Sequence, residues 1–269
     1  LIGDPPNIMI GSAANLNFND FIVNIGPVVI FIIISLLVCF KIIYRKEINN
    51  VSNEVAISSL DENKAIKDKS LLYKSICILF LILLGFIFHN KLQIESSIVA
   101  LSGACIMLII GGQDPSEIIS SVEWSTIIFF IGLFIVVGGI SESGVIKDLA
   151  SLLLEFTKGN TTSTMCIILW ISAVISSFLD NIPFVATLIP LILTMEAQGM
   201  NVAPLWWATS LGACLGGNGT LIGASANVVL ANIGEKHGYD ISFKKYLRLG
   251  FPVMILTIAI STVYLLLRY

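Results

Sequence analysis

The sequence predicts an all-α, polytopic membrane protein organised as an inverted repeat. Three observations carry that expectation. The chain is 56% hydrophobic and only 12% charged, with a mean hydropathy of +0.92, whereas a soluble domain carries about 25% charged residues. The motif LIGDPPN at residues 1–7 returns as LIGASAN at residues 221–227, each ahead of a long apolar run. Basic residues flank the two runs unequally, which orients them oppositely in a bilayer.

A spanning helix needs roughly 20 mostly apolar residues. Candidate spans are residues 27–44, 71–88, 96–111, 125–140 and 243–267. Two further apolar regions are interrupted, 161–197 by FLDNIP and 204–234 by LGGNGTLIGASAN. The first is expected to be a re-entrant hairpin and the second a broken helix. A helix opened by Gly, Asn and Ser at mid-membrane frees backbone groups that lipid cannot satisfy, so the break must face protein, water or a solute. Residues 145–156 (VIKDLASLLLEF) have helical spacing and are expected along the membrane interface. The basic stretch 45–72 reads as a cytoplasmic linker, with Val51, Val55, Ile57 and Leu60 spaced too loosely to choose between a surface helix and a loop.

The repeat extends beyond its motif. Ile8, Met9 and Ile10 match Val228, Val229 and Leu230. After a five-residue insertion Phe18 meets Phe243, Phe21 meets Tyr246 and Pro27 meets Pro252. Between motif and span the first copy has no Lys or Arg, while the second has Lys236, Lys244, Lys245 and Arg248. Basic loops stay inside, so loops 45–72 and 235–248 are expected in the cytoplasm and the C-terminus outside. Inverted repeats with broken helices at mid-membrane are the layout of secondary transporters. The division is then 1–44 as the end of a first repeat, 45–72 as linker and 73–269 as the second repeat.

Composition narrows the functional classes. A formal charge of −3 gives no basis for nucleic-acid binding. Cys39, Cys77, Cys105, Cys166 and Cys214 form no CxxC pair and read as small apolar residues with no disulfide framework. The N-terminus carries no signal-peptide pattern.

LIGDPPNIMIGSA, VEWSTIIFFIGLFIVVGGI, FLDNIPFVATLIPL and LGGNGTLIGASANVV resemble the arsenite-permease and pink-eyed-dilution P protein branch of the ion transporter superfamily, which also holds citrate transporters. The likeness covers nearly the whole chain. It implies a re-entrant hairpin and a broken helix in each repeat, converging on one transport site. It also implies a homodimer, alternating access, and an N-terminal half of comparable length. By that resemblance the first repeat is largely missing, so the chain is expected to be a fragment or to need a second chain.

Asp180 and Asn181 sit between two apolar arms of similar length. A carboxylate at the membrane centre costs about 2.5–3.5 kcal/mol, so Asp180 is expected to face a cavity, bind a cation or take up a proton. Pro183 suits the first turn of the returning arm. Asn218, Thr220, Ser225 and Asn227 flank the second break among Gly216, Gly217, Gly219 and Gly223. Ser225 is expected to cap the following half-helix, whose N–H groups suit an anion while unwound carbonyls suit Na+. Asp4 and Asn7 form the matching break, with Asp4 as cap and Pro5 at the first helical position. Na+ at Asp180, Asn181 and Asn218, or H+, is the expected coupling ion, with no other cofactor and no resident metal.

Trp124 reads as an interface anchor, Glu123 as a helix-start carboxylate, and His89 and His237 as solvated. Cys214 reads as small packing. The expected function is secondary transport of a small inorganic or carboxylate anion, such as an arsenite-like oxyanion. The alternatives are a Na+/H+ antiporter and an inactive or partial subunit. Gly223-Ala224-Ser225 superficially matches an intramembrane serine protease, but a nucleophile needs a base within reach, and His237 in a polar loop is the sole nearby candidate.

Overall fold

The computed structural model describes residues 4–45, 66, 68–92, 94–122, 124–236, 238–239 and 241–269. Leu1 to Gly3, Glu123, His237 and most of the 45–72 linker lie outside the described residues, as does the side chain of His89. The described elements are α-helices, with no strand among them. In order they are α1 (Pro5–Ala13), α2 (Phe18–Ile43), α3 (Lys69–Leu92), α4 (Ser96–Gly111), α5 (Pro115–Ser120) and α6 (Trp124–Glu142). There follow α7 (Val145–Thr157), α8 (Thr161–Ser176), α9 (Asn181–Ala197), α10 (Ala203–Gly216), α11 (Ser225–Lys236) and α12 (Phe243–Arg268).

Three helices, α2, α3 and α12, are each long and apolar enough to cross a membrane, and α6 with α7 forms a pair bent by 66° that passes the same test. The bend falls beside Gly144, whose φ of +84° is one that glycine adopts without strain. At 16 residues α4 covers the candidate span 96–111, and it stops at Gly112, a left-handed residue at φ +69°. A short helix that run length does not mark, α5, starts with Pro115 and is capped by the carboxylate of Asp114 on Ser116 N at 2.9 Å. Large apolar side chains such as Phe31, Leu37, Ile109 and Ile135 are 62%, 64%, 81% and 70% exposed. Surfaces of that kind suit lipid rather than water.

The repeat is visible in the helices. Both α2 and α12 have 26 residues, start at the matched Phe18 and Phe243, and carry the matched Pro27 and Pro252. Likewise α1 starts at Pro5 and α11 at Ser225, the positions that the LIGDPPN and LIGASAN alignment pairs.

The chain divides into two compact units. The smaller holds residues 17–19 and 37–126. Within it α3 and α4 pack closely: a Cβ on Gly85 would lie 2.5 Å from Val99, and one on Gly103 would lie 2.3 Å from Ile82. Lys74 near the start of α3 donates to Ile110 O at the end of α4 at 2.8 Å, so the two helices run antiparallel.

The larger unit holds residues 1–16, 20–36 and 127–269. Its centre is α10, in which every residue from Pro204 to Ala213 is buried. A helix enclosed all round can carry no charge cheaply, and α10 has none. Its partner α8 approaches backbone to backbone. A Cβ on Gly212 would lie 2.6 Å from Leu169 O, and one on Gly216 would lie 2.5 Å from Ala173 O. Small residues four apart permit such an approach. Met165, Leu169, Leu205, Trp206 and Ile258 close the core around this crossing. Phe21 of α2 stands edge-on to Trp207, with ring centroids 5.2 Å apart.

The start of α2 meets the end of α12. Tyr264 Oη donates to Asn24 O at 2.7 Å, while Arg268 Nη2 and Tyr269 Oη donate to Asn24 Oδ1 at 2.8 and 2.9 Å. The N-terminal end of one matched helix thus meets the C-terminal end of the other, the arrangement that two spans of opposite direction would give.

Candidate functional site

The apolar region 161–197 folds as two helices, α8 and α9, joined by residues 177–180. Asp180 is the N-cap of α9, and its Oδ1 accepts from Ile182 N at 3.0 Å. Asn181 opens the helix and Pro183 lies in its first turn, where a missing N–H costs nothing. Asp180 is half-buried. No Lys or Arg lies on α8, α9 or α10, so these elements offer its charge no basic side chain.

The second apolar region opens at residues 217–224, between α10 and α11. Two side chains hold the opened backbone. Asn227 Nδ2 donates to Gly217 O at 2.9 Å and to Thr220 O at 3.2 Å. Thr220 Oγ1 donates to Ser177 O in the turn between α8 and α9. One helix turn away, Ser176 Oγ donates to Ala213 O at 2.7 Å. The join leaves no room for side chains: a Cβ on Gly223 would lie 2.7 Å from both Gly217 O and Ser177 O. The turn of the helical hairpin and the break in α10–α11 thus form one structure. Carbonyls satisfied in this way are what an opened helix needs in lipid.

The first break has a different partner. Asp4 is the N-cap of α1, yet its carboxylate makes no capping bond. Its Oδ2 accepts instead from Asn7 Nδ2 at 2.5 Å and from Cys214 Sγ at 3.0 Å. Asn7 Oδ1 accepts from Ser210 Oγ at 2.5 Å, and its Nδ2 also reaches Cys214 Sγ at 3.5 Å. Ser210 and Cys214 are one turn apart on α10, and Asp4 and Asn7 one turn apart at the start of α1.

Of the residues singled out in the sequence, Thr220 and Asn227 come together with the hairpin turn, and Asp4 and Asn7 come together on α10. Asn218 and Ser225 are exposed, and Asn218 joins the site through its backbone, its carbonyl facing Gly250 of α12. Ser225 is the first residue of α11 rather than its cap, because the break ends one residue earlier, at Ala224. In place of capping α1, the Asp4 side chain accepts from the amide of Asn7 on α1 itself and from the thiol of Cys214 on α10. Ser177 and Ser210 escaped the sequence reading, and Cys214, which reads there as small packing, donates to Asp4. Their signal was a run of small polar residues on charge-free helices, which also includes Ser172 and Thr209, whose buried hydroxyls have no hydrogen-bond partner. Among the described residues no three of His, Cys, Asp and Glu converge as metal ligands.

A helical hairpin joined at its turn to a broken helix, in a chain with several long lipid-facing helices, defines a polytopic membrane protein of the transporter class. The citrate transporter family profile matches residues 1–212. An uncharacterized transporter of Mycobacterium tuberculosis is 42% identical over the whole chain, which covers 63% of that relative. A 46 kDa membrane protein of Mycobacterium leprae is 40% identical over the whole chain, covering 64% of its length. The P protein of Mus musculus is 39% identical over 80% of the chain and 27% of its own length. The chain belongs to the citrate transporter family, within the ion transporter superfamily that its motifs resemble. It spans less than two thirds of the length of these curated relatives.

Proposed function

We propose that the full-length protein is a secondary transporter that moves a small inorganic or carboxylate anion, coupled to H+ or Na+, by alternating access. The observation that carries this reading is the join between Thr220 in the broken helix and Ser177 in the hairpin turn. It sets the half-buried Asp180, unwound carbonyls and the start of a half-helix on connected elements. Carbonyls and a carboxylate suit a cation, and a half-helix start suits an anion. Asp180, Asn181 and Asn218 are the groups we assign to Na+ or H+. Thr220, Ser225, Asn227, Asp4 and Asn7 are assigned to the substrate or to the shape of the breaks.

In this reading 161–197 is a re-entrant hairpin, because α8 and α9, at 16 and 17 residues, are short for a bilayer that takes about 20. The protein sits in the plasma membrane, as a homodimer, with loops 45–72 and 235–248 in the cytoplasm and the C-terminus outside. The meeting of the α2 start with the α12 end supports that threading. Catalysis is not part of the reading, since Ser225 heads an exposed helix turn. The relatives are longer than the match, and transport is read as a property of the full-length protein.

The test is uptake by proteoliposomes of the full-length protein, with arsenite and citrate offered under Na+ and pH gradients, and Na+/H+ exchange assayed in parallel. Gradient-driven uptake of an anion is expected. Exchange of Na+ for H+ without anion uptake would replace this reading by the antiporter, and silence in every arm would leave a partial subunit.

A further inference from the structure

We propose that α7 is a membrane-surface anchor that lies across the open end of the α8–α9 hairpin and sinks Val145, Leu149, Leu152 and Phe156 into the boundary between lipid headgroups and acyl chains. The inference rests on the re-entrant reading of residues 161–197, and it adds the element that holds both arms at one membrane surface.

Helix geometry divides α7 into three sectors, since successive residues turn by about 100°. Ile146, Ala150 and Thr157 are buried, and Leu153 packs beside them on the core; the four share an arc of about 60°. Val145, Leu149, Leu152 and Phe156 share a second arc of about 60°, yet they are exposed, Leu152 by 65% and Phe156 by 76%. Lys147, Asp148, Ser151, Glu155 and Lys158 fill a third arc of about 100°, and all are exposed. Such a helix fits where protein, lipid and water meet. The chain leading into it says which apolar phase covers the open stripe. In α6 Ile128, Ile131, Ile135 and Val136 are exposed as in a lipid-facing span, and the 66° bend then turns the chain out of that direction. The charges of the third sector balance, two basic against two acidic, so apolar burial rather than attraction to anionic lipid holds the helix.

Two contacts place α7 at the base of the hairpin. Thr164 Oγ1, in the first turn of α8, donates to Thr157 Oγ1 at 2.9 Å. Gln198 Nε2, just past the end of α9, donates to Ser151 Oγ at 3.3 Å. Lys158 and Gly159, at φ +51° and +67°, reverse the chain from α7 into α8. Both arms therefore leave from the level of α7. With 16 residues, α8 is about 24 Å long, short of a hydrocarbon core of about 30 Å.

The experiment places single nitroxide labels at Lys147, Leu149, Ala150, Leu152, Glu155 and Phe156 of the cysteine-free full-length protein in phosphatidylcholine vesicles. Collision with oxygen and with a water-soluble nickel chelate is measured at each. Labels at Leu149, Leu152 and Phe156 are expected to favour oxygen and to sit about 5–10 Å below the phosphates. Those at Lys147 and Glu155 are expected to favour nickel, and that at Ala150 to meet neither. If the Ala150 label prevents folding, the outer positions decide alone. Low collision with both reagents along the stripe would put a protein partner there, and nickel-rich collision would put it in water; either overturns the proposal. A label at Phe178, in the turn, reports on the hairpin separately. A depth at the far headgroups removes the re-entrant reading and leaves the α7 pattern standing, whereas loss of that pattern with the turn inside the bilayer overturns the anchor alone.

Discussion

Asn227→Ala tests how the broken helix is held open. The wild-type amide supplies two bonds, to Gly217 O at 2.9 Å and Thr220 O at 3.2 Å. Both residues are buried. Thr220 O keeps a second donor, Gly223 N at 3.2 Å, so its loss is one ordinary bond, about 0.5–1.5 kcal/mol. Gly217 O has no other partner among the described residues, and an orphaned buried carbonyl costs about 1–3 kcal/mol. The sum is about 1.5–4.5 kcal/mol, which at about 2–4 °C per kcal/mol lowers the melting temperature by about 3–18 °C. Thermal unfolding of the full-length protein in detergent measures it. Asn227→Asp loses at least as much, because it presents an oxygen to two carbonyls. Asn218→Ala is the internal control, since its exposed side chain holds neither carbonyl, and its melting temperature is expected to stay within about 1–2 °C. If Asn227→Ala melts with the wild type, the amide does not hold the break and the description of the site is wrong at its base.

Other outcomes follow from the same geometry. Asp180→Asn keeps an N-cap of equal quality, so stability changes by less than about 0.5 kcal/mol while uptake is lost; unchanged uptake and unchanged ion dependence would remove Asp180 from coupling. Gly216→Ala drives a methyl to 2.5 Å from Ala173 O and is expected to cost about 1–3 kcal/mol in thermal unfolding. Asn24→Ala removes the oxygen that accepts from Arg268 and Tyr269 and the amide that donates to Asp20 O, and a loss of about 2–4 kcal/mol is expected from three bonds, one of them charge-assisted.

Much of the helical scaffold was legible because it follows local rules. Apolar run length marked α2, α3, α4, α6 and α12, and the motif repeat gave the matched starts of α1 with α11 and of α2 with α12. Boundaries moved where a local signal was overridden. Pro27 reads as the first residue of a span, yet α2 begins at Phe18 and carries Pro27 inside it, as α12 carries Pro252. Proline is tolerated in such helices when neighbouring groups satisfy the freed carbonyl. What the sequence hid was who bonds to whom. The partners of Asp4 and Asn7 lie more than 200 positions away, and no spacing rule links Cys214 to a carboxylate. Glycine runs mark the break, but only the fold reveals that the glycines give space to Ser177 of another helix turn.

The central claim is that two copies of one unit enter the membrane from opposite sides and meet at one site. Single cysteines placed at Asn19, ahead of the matched apolar run of α2, and at Tyr239, ahead of α12, test it most directly in the cysteine-free full-length protein, using an impermeant maleimide on intact cells. The account predicts labelling of position 19 from outside and of position 239 only after the membrane is opened. Labelling of both positions from the same side would contradict it.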